Sequence, residues 1–144
     1  LESLEIDASI PMVLQVSRFD RLKNHIGVIE AFGSLYRKTQ CQLVLAGGGA
    51  DDDPEGEQVY KEIVAAAGEH PNIRVLLLPP ASNLEINVLQ RSAAVVVQNS
   101  IREGFGLTVS EALWKTCPVV ASPVGGIIRQ VLDRQTGLLA RNSE

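Results

Sequence analysis

At 144 residues, 45% hydrophobic and 21% charged with a formal charge of −4, the chain has the composition of one soluble globular domain and not of a disordered segment. The acidic balance and the scattering of Lys and Arg exclude the basic face that holds a nucleic acid by counterion release. No apolar run nears the roughly 20 residues that cross a bilayer, and the first nine residues lack the basic and apolar stretches of a signal peptide. A cytosolic protein without membrane contact is expected, and the missing initiator Met suggests a piece of a longer chain.

Residues 12–16 are the first predicted strand, an apolar run that ends in the loop Ser17-Arg18-Phe19-Asp20-Arg21-Leu22-Lys23. Residues 24–38 follow with Ile26, Ile29, Ala31, Phe32, Leu35 and Tyr36 at helical spacing, and a second strand spans 42–46. Gly47-Gly48-Gly49 and an acidic, turn-rich loop over 51–56 lead to a helix at 57–67 and a third strand at 73–78. A helix over 82–93 precedes strand 94–98, and the loop Asn99-Ser100-Ile101-Arg102-Glu103-Gly104-Phe105-Gly106 precedes a helix over 108–115. Strand 119–121, helix 127–132 and a short strand 138–140 complete the pattern. Ser82 with Glu85, and Thr108 with Glu111, have the capping-box spacing of a helix start. Cys41 and Cys117 stand at strand starts without a CxxC or a partnering His and are expected in the core, with no metal site. Trp114 is expected to pack on the sheet, and His25 to lie on the surface at a helix start.

Strands buried on both faces, alternating with helices, predict an α/β domain with a doubly wound, mostly parallel, six-stranded Rossmann-like sheet in the order 3-2-1-4-5-6. Ligands of such sheets bind beyond the carboxyl ends of the strands where the order reverses, here between the loops after strands 1 and 4. Arg18, Arg21 and Lys23 in the first loop suit either a bound diphosphate or a solvated turn paired with Asp20. In the second loop the glycines let backbone approach a ligand, and the amides of Leu107 and Thr108 would meet an anion at the helix start. Glu103 and Glu111 flank those amides and suit sugar hydroxyls; Glu111 reads equally as the capping partner of Thr108, and Glu103 as an exposed loop acid. The fingerprint G-x-G-x-x-G is missing after strand 1, which argues against NAD and hydride transfer.

Arg18 and Lys23 in R-x4-K spacing, and Glu103 and Glu111 in E-x7-E spacing around Gly104-Phe105-Gly106-Leu107, resemble the carboxyl-terminal domain of the retaining GT-B glycosyltransferases, family four. The resemblance runs from about Pro11 to Leu139 and takes in Ser122-Pro123-Val124-Gly125-Gly126 and Gln135-Thr136-Gly137-Leu138-Leu139. It implies that Arg18 and Lys23 contact the donor diphosphate, that the Leu107 and Thr108 amides support it, and that Glu111 binds the ribose. Glu103, with Gly104 and Phe105, would hold the transferred sugar, and Gly48 and Gly106 would border the donor. Arg18, Lys23 and Glu103 are the implied catalytic set.

Asp52-Asp53-Pro54-Glu55-Gly56, Glu85-Ile86-Asn87, Gln90-Arg91-Ser92-Ala93 and the stretch from Ser100 to Lys115 resemble, more narrowly, the trehalose-forming glycosyltransferring synthases. That implies a UDP-glucose or ADP-glucose donor, free glucose as acceptor and no obligatory metal or other cofactor. The loops Arg21-Leu22, Gly47-Gly48-Gly49 and Leu77-Leu78-Pro79-Pro80-Ala81 depart from that pattern, so the base preference stays open. So do transfer to a glycan, lipid or sugar phosphate, a trehalose phosphorylase activity, a noncatalytic nucleotide-binding module and a homodimer. The acceptor would be selected by an amino-terminal domain outside these 144 residues, so the chain alone is expected to be inactive.

Overall fold

A computed structural model of the chain describes residues 1–48 and 54–141. Six strands, β1 (Met12–Val16), β2 (Gln42–Gly47), β3 (Ile73–Leu77), β4 (Val95–Gln98), β5 (Val119–Ala121) and β6 (Gly137–Leu139), form one sheet in the order β3-β2-β1-β4-β5-β6. Every pairing is parallel. The helices between them are α1 (His25–Tyr36), α2 (Pro54–Ala67), α3 (Asn83–Ser92), α4 (Leu107–Trp114) and α5 (Ile127–Gln130). The predicted order is the observed one, and each predicted boundary lies within three residues of its element.

Side chains alternate between the two faces of a strand, so strands covered on both faces are apolar except where a buried amide finds partners, as Gln15 and Gln42 do. Met12, Leu14 and Val16 point into one layer with Leu89, Val109, Ala112 and Ile127 from α3, α4 and α5. Val13 points into the other with Val28 and Phe32 from α1 and Val59 and Ile63 from α2. Both faces of β1 and β2 are therefore covered, and all eleven of their residues are buried. Over β4 and β5 the α1 layer stops short, and an open groove of about 690 Å³ remains beside Val95, Val97 and Val120. The lining of that groove is mostly apolar and its only charged residue is Lys38, so it lacks the charge that a diphosphate requires.

Three local expectations are corrected. Pro54, Glu55 and Gly56, read as loop, are the first turn of α2, where proline is at home because its missing N–H would have no helical acceptor; Asp51, Asp52 and Asp53 lie outside the described residues. Trp114 is 87% exposed: α4 buries Val109 and Ala112, and two residues beyond Ala112 the helix has turned by about 200°, onto its outer face. Neither expected capping box forms, because Ser82 and Gly106 occupy the N-cap positions of α3 and α4 without a side-chain cap bond.

Candidate functional site

The β1 and β4 loops converge at the switch point. Asp20 turns the first loop by accepting from the Leu22 amide at 2.9 Å, which caps a single 3-10 turn over Arg21–Lys23. The Leu22 carbonyl then accepts from the Ile101 amide at 2.8 Å, tying the first loop to the second. This brings the Lys23 ammonium to 2.6 Å from Glu103 Oε2, with the two side chains only 15% and 12% exposed. Burial pushes the Glu103 carboxyl upward, but the Lys23 ammonium, the Ser100 hydroxyl at 3.1 Å and the Gly104 amide at 3.2 Å outweigh it and hold the group below its ordinary value. The structure thus joins Lys23 and Glu103, which stand 80 residues apart.

Arg18 is not part of that cluster. Its side chain is 75% exposed and lies 3.5 Å from Asp20, the pairing of a solvated turn. Arg21 leaves the crevice, forking onto Glu62 of α2 through bonds of 2.9 and 3.0 Å. Gly48 sits half-buried just past β2, with the Leu78 carbonyl 2.9 Å from where a Cβ would lie.

Gly106 adopts φ 84°, the left-handed region in which a side chain is strained, and so lets the chain turn into α4. The Leu107 and Thr108 amides, in the first turn, have no acceptor within the helix. Thr108 directs its hydroxyl to Gln98 Oε1 at 3.2 Å, not to its own helix. Glu111 is likewise no capping partner; its Oε2 accepts from Gln90 Nε2 at 3.1 Å, and Gln90 Oε1 accepts from Lys115 at 2.7 Å. Phe105 and Leu107 leave their side chains 61% and 63% exposed at this mouth.

The segment after β5 supports the Glu103 loop from behind. Gly125 has φ 53°, and a Cβ on it would overlap the Glu103 carbonyl; the Gly126 amide donates to the Gly104 carbonyl at 2.7 Å. Gln130 donates to the Phe105 carbonyl. The glycines after β5 are thus required by the close approach of one loop to another.

Sequence reasoning missed the buried polar groups below this crevice. His25, expected at the surface, is 2% exposed; its Nε2 lies 2.9 Å from Ser17 Oγ, and burial with few compensating charges lowers its pKa to about 4. Gln15 donates to the Lys23 carbonyl at 2.9 Å. A glutamine inside an apolar strand, as in MVLQV and VVVQ, was the available signal: burying an amide demands a partner. Cys41 and Cys117 are buried as expected, and burial raises both thiols. Among the described residues, no group of three or more His, Cys, Asp or Glu gathers to hold a metal ion, and no helix is long and apolar enough to cross a membrane.

The family model of glycosyl transferases group 1 matches residues 2–144. The chain belongs to that family. It is 43% identical over 145 residues to the trehalose synthase of Pyrococcus horikoshii, covering 99% of this chain and 35% of that one. Among solved structures it superposes on sucrose-phosphate synthase of Thermosynechococcus elongatus with a TM-score of 0.81 at 30% identity, over 99% of this chain and 35% of that one. It also superposes on the C-terminal domain of a glycosyl transferase group 1 protein, LpcC of Francisella tularensis, with a TM-score of 0.74 at 25% identity, over 99% and 73%. The chain spans about a third of the length of its trehalose synthase relative. Its sheet is the carboxyl-terminal half of the GT-B fold.

Proposed function

We propose that this chain is the donor-binding domain of a retaining glycosyltransferase that moves glucose from UDP-glucose or ADP-glucose to free glucose, forming trehalose. The observation that carries the reading is the Lys23–Glu103 pair, set between the two switch-point loops beside the unpaired first-turn amides of α4. The likeness to trehalose synthase supports the choice of product. An amino-terminal domain of the same protein binds the acceptor and forms the opposite wall of the cleft.

In the reaction the bond from the sugar's anomeric carbon to the diphosphate breaks, and a bond to the acceptor hydroxyl forms on the same face. The acceptor's proton passes to the departing diphosphate oxygen. Charge therefore builds on the diphosphate, where Lys23, Arg18 and the Leu107 and Thr108 amides stabilise it; the amides and the paired Lys23 are already in position, which favours the transition state over the ground state. Glu103 accepts from hydroxyls of the transferred sugar, and Glu111 from those of the ribose.

The test has two parts. Calorimetry of the chain against UDP, ADP and GDP and their glucose conjugates should show weak binding of one nucleoside diphosphate and tighter binding of its glucose conjugate; silence toward all six would sink the donor-site reading. Product analysis of the full-length protein with that conjugate and glucose should yield trehalose, while the isolated chain yields none. Transfer by the isolated chain would overturn the two-domain arrangement, and a different product would overturn the acceptor.

A further inference from the structure

Beneath Glu103 lies a line of hydrogen bonds that the roles above do not use. Thr108 Oγ1 donates to Gln98 Oε1 at 3.2 Å, Gln98 Nε2 donates to Ser100 Oγ at 3.0 Å, and Ser100 Oγ donates to Glu103 Oε2 at 3.1 Å. Gln98 and Ser100 are 1% and 2% exposed, so water does not compete for these groups. The backbone is held too: Ser122 donates its amide to the Gln98 carbonyl at 3.0 Å and its hydroxyl to the Ser100 carbonyl.

Direction is what gives this line a consequence. A serine hydroxyl has one proton, and its oxygen can accept. With Thr108 on the amide oxygen, Gln98 must present its N–H to Ser100, and the Ser100 proton is then committed to Glu103. Oε2 of Glu103 thus carries Lys23 and Ser100, and Oε1 carries the Gly104 amide. The carboxylate is fixed on both oxygens, and one lone pair of Oε1 is left for a ligand hydroxyl.

We propose that Ser100 is the positioning residue for Glu103 and that Gln98, oriented by Thr108, sets the direction of its proton. The relay links the first turn of α4, where the diphosphate is bound, to the carboxylate that reads the sugar. The proposal rests on the reading of Glu103 as a sugar-binding group. The charged groups in direct contact with the relay are Glu103 and, through it, Lys23.

The experiment uses the full-length enzyme and four variants. Ser100→Ala should lower kcat/KM for the nucleotide-glucose by about 10- to 100-fold, the range of one hydrogen bond to a charged acceptor, with affinity for the free nucleoside diphosphate changed less than about twofold. Ser100→Thr keeps the hydroxyl and should recover most of the loss. Gln98→Glu introduces a carboxyl that still donates to Ser100 when protonated but only accepts when ionised, which draws the Ser100 proton away from Glu103. Its kcat/KM relative to wild type should therefore fall as pH rises, a signature that lost packing alone would not produce. A Ser100→Ala variant that melts lower yet keeps its kcat/KM overturns the proposal, and so does a Gln98→Glu ratio that is flat with pH. Glu103→Gln separates the two readings: if it leaves nucleotide-glucose affinity and turnover untouched, the assignment of Glu103 fails first and the relay's role falls with it.

Discussion

The loop that leaves β1 and the loop that leaves β4 meet at one backbone hydrogen bond, from Ile101 to Leu22, yet they are held on different terms. The β4 loop is gripped from three sides: the Gly125-Gly126 turn lies against its backbone, Gln130 takes the Phe105 carbonyl, and Lys23 and Ser100 fix the Glu103 side chain. The β1 loop commits only Lys23 to the crevice. Arg18 stays 75% exposed with Asp20 as its partner, and Arg21 is spent on Glu62. Groups that must stabilise developing charge act best when they need not move, whereas a group that captures a ligand from solution gains reach from being free. The fixed loop therefore suits recognition of the sugar and transition state, and the free arginine suits capture of the diphosphate.

The largest effect should come from breaking the grip itself. Gly125→Ala asks a side chain to adopt φ 53° and to occupy the space of the Glu103 carbonyl. The left-handed backbone alone costs roughly 1–2 kcal/mol, and relief of the overlap must displace Glu103. We expect a lower melting temperature together with loss of nucleotide-glucose binding by about 100-fold, equivalent to about 2.7 kcal/mol. Gly68→Ala is the matched control, since Gly68 shares the left-handed backbone at φ 56° while a Cβ there meets only the Ala65 carbonyl, at 3.9 Å. Equal behaviour of the two variants in melting and titration would show that the β4 loop is not held by the turn behind it.

The same contrast decides what the sequence could disclose. Strand order, the parallel sheet and the switch point follow from apolar runs and their alternation with helices, because burial on two faces leaves β1 and β2 apolar apart from Gln15 and Gln42. Lys23 and Glu103 were legible as candidates, but their contact was not, since it depends on two loops 80 residues apart meeting. The capping box at Thr108 does not form for a physical reason: α4 begins one residue earlier, with Gly106 at the N-cap, and the Thr108 hydroxyl donates to buried Gln98 instead of accepting from a first-turn amide. Trp114 was misplaced because an apolar residue type says nothing of its angle on the helix. His25 was misplaced because a single imidazole carries no periodic signal, and its contacts with Phe19 and Ser17 depend on the folded β1 loop.

A smaller effect should separate the two carboxylates. Glu111 is held by the neutral amide of Gln90, and no cation contacts it directly, which suits the ribose-binding role proposed for it. Glu111→Gln keeps an acceptor oxygen for Gln90 but weakens hydrogen bonds from ligand hydroxyls, each worth roughly 1.5–3 kcal/mol to a charged acceptor. Free nucleoside diphosphate should bind about 10-fold more weakly to Glu111→Gln and nearly as well as wild type to Glu103→Gln, with the melting temperature of the former little changed. A lower melting temperature at undiminished nucleotide affinity would make Glu111 a structural bridge to α3 and remove it from the ribose.

Arg18→Ala should give the smallest change, and its dependence on salt is the informative part. The side chain is exposed and its ion pair with Asp20 is of the kind that contributes little to stability, so the melting temperature should not move. If Arg18 serves capture, its removal lowers nucleoside diphosphate affinity by about 2- to 5-fold at 0.01 M salt, where the screening length is about 30 Å, and by almost nothing at 1 M, where it is about 3 Å. Lys23→Ala removes a partly buried charge that water and salt screen less, so its loss of affinity should be larger and should persist at high salt. Titration of both variants across that range tests the division of labour within one loop. An Arg18→Ala loss that matches Lys23→Ala at 1 M salt would mean that Arg18 swings in and desolvates against the diphosphate. The β1 loop would then be as fully committed to the bound diphosphate as the β4 loop is to the sugar, and the contrast between them would not extend to the complex.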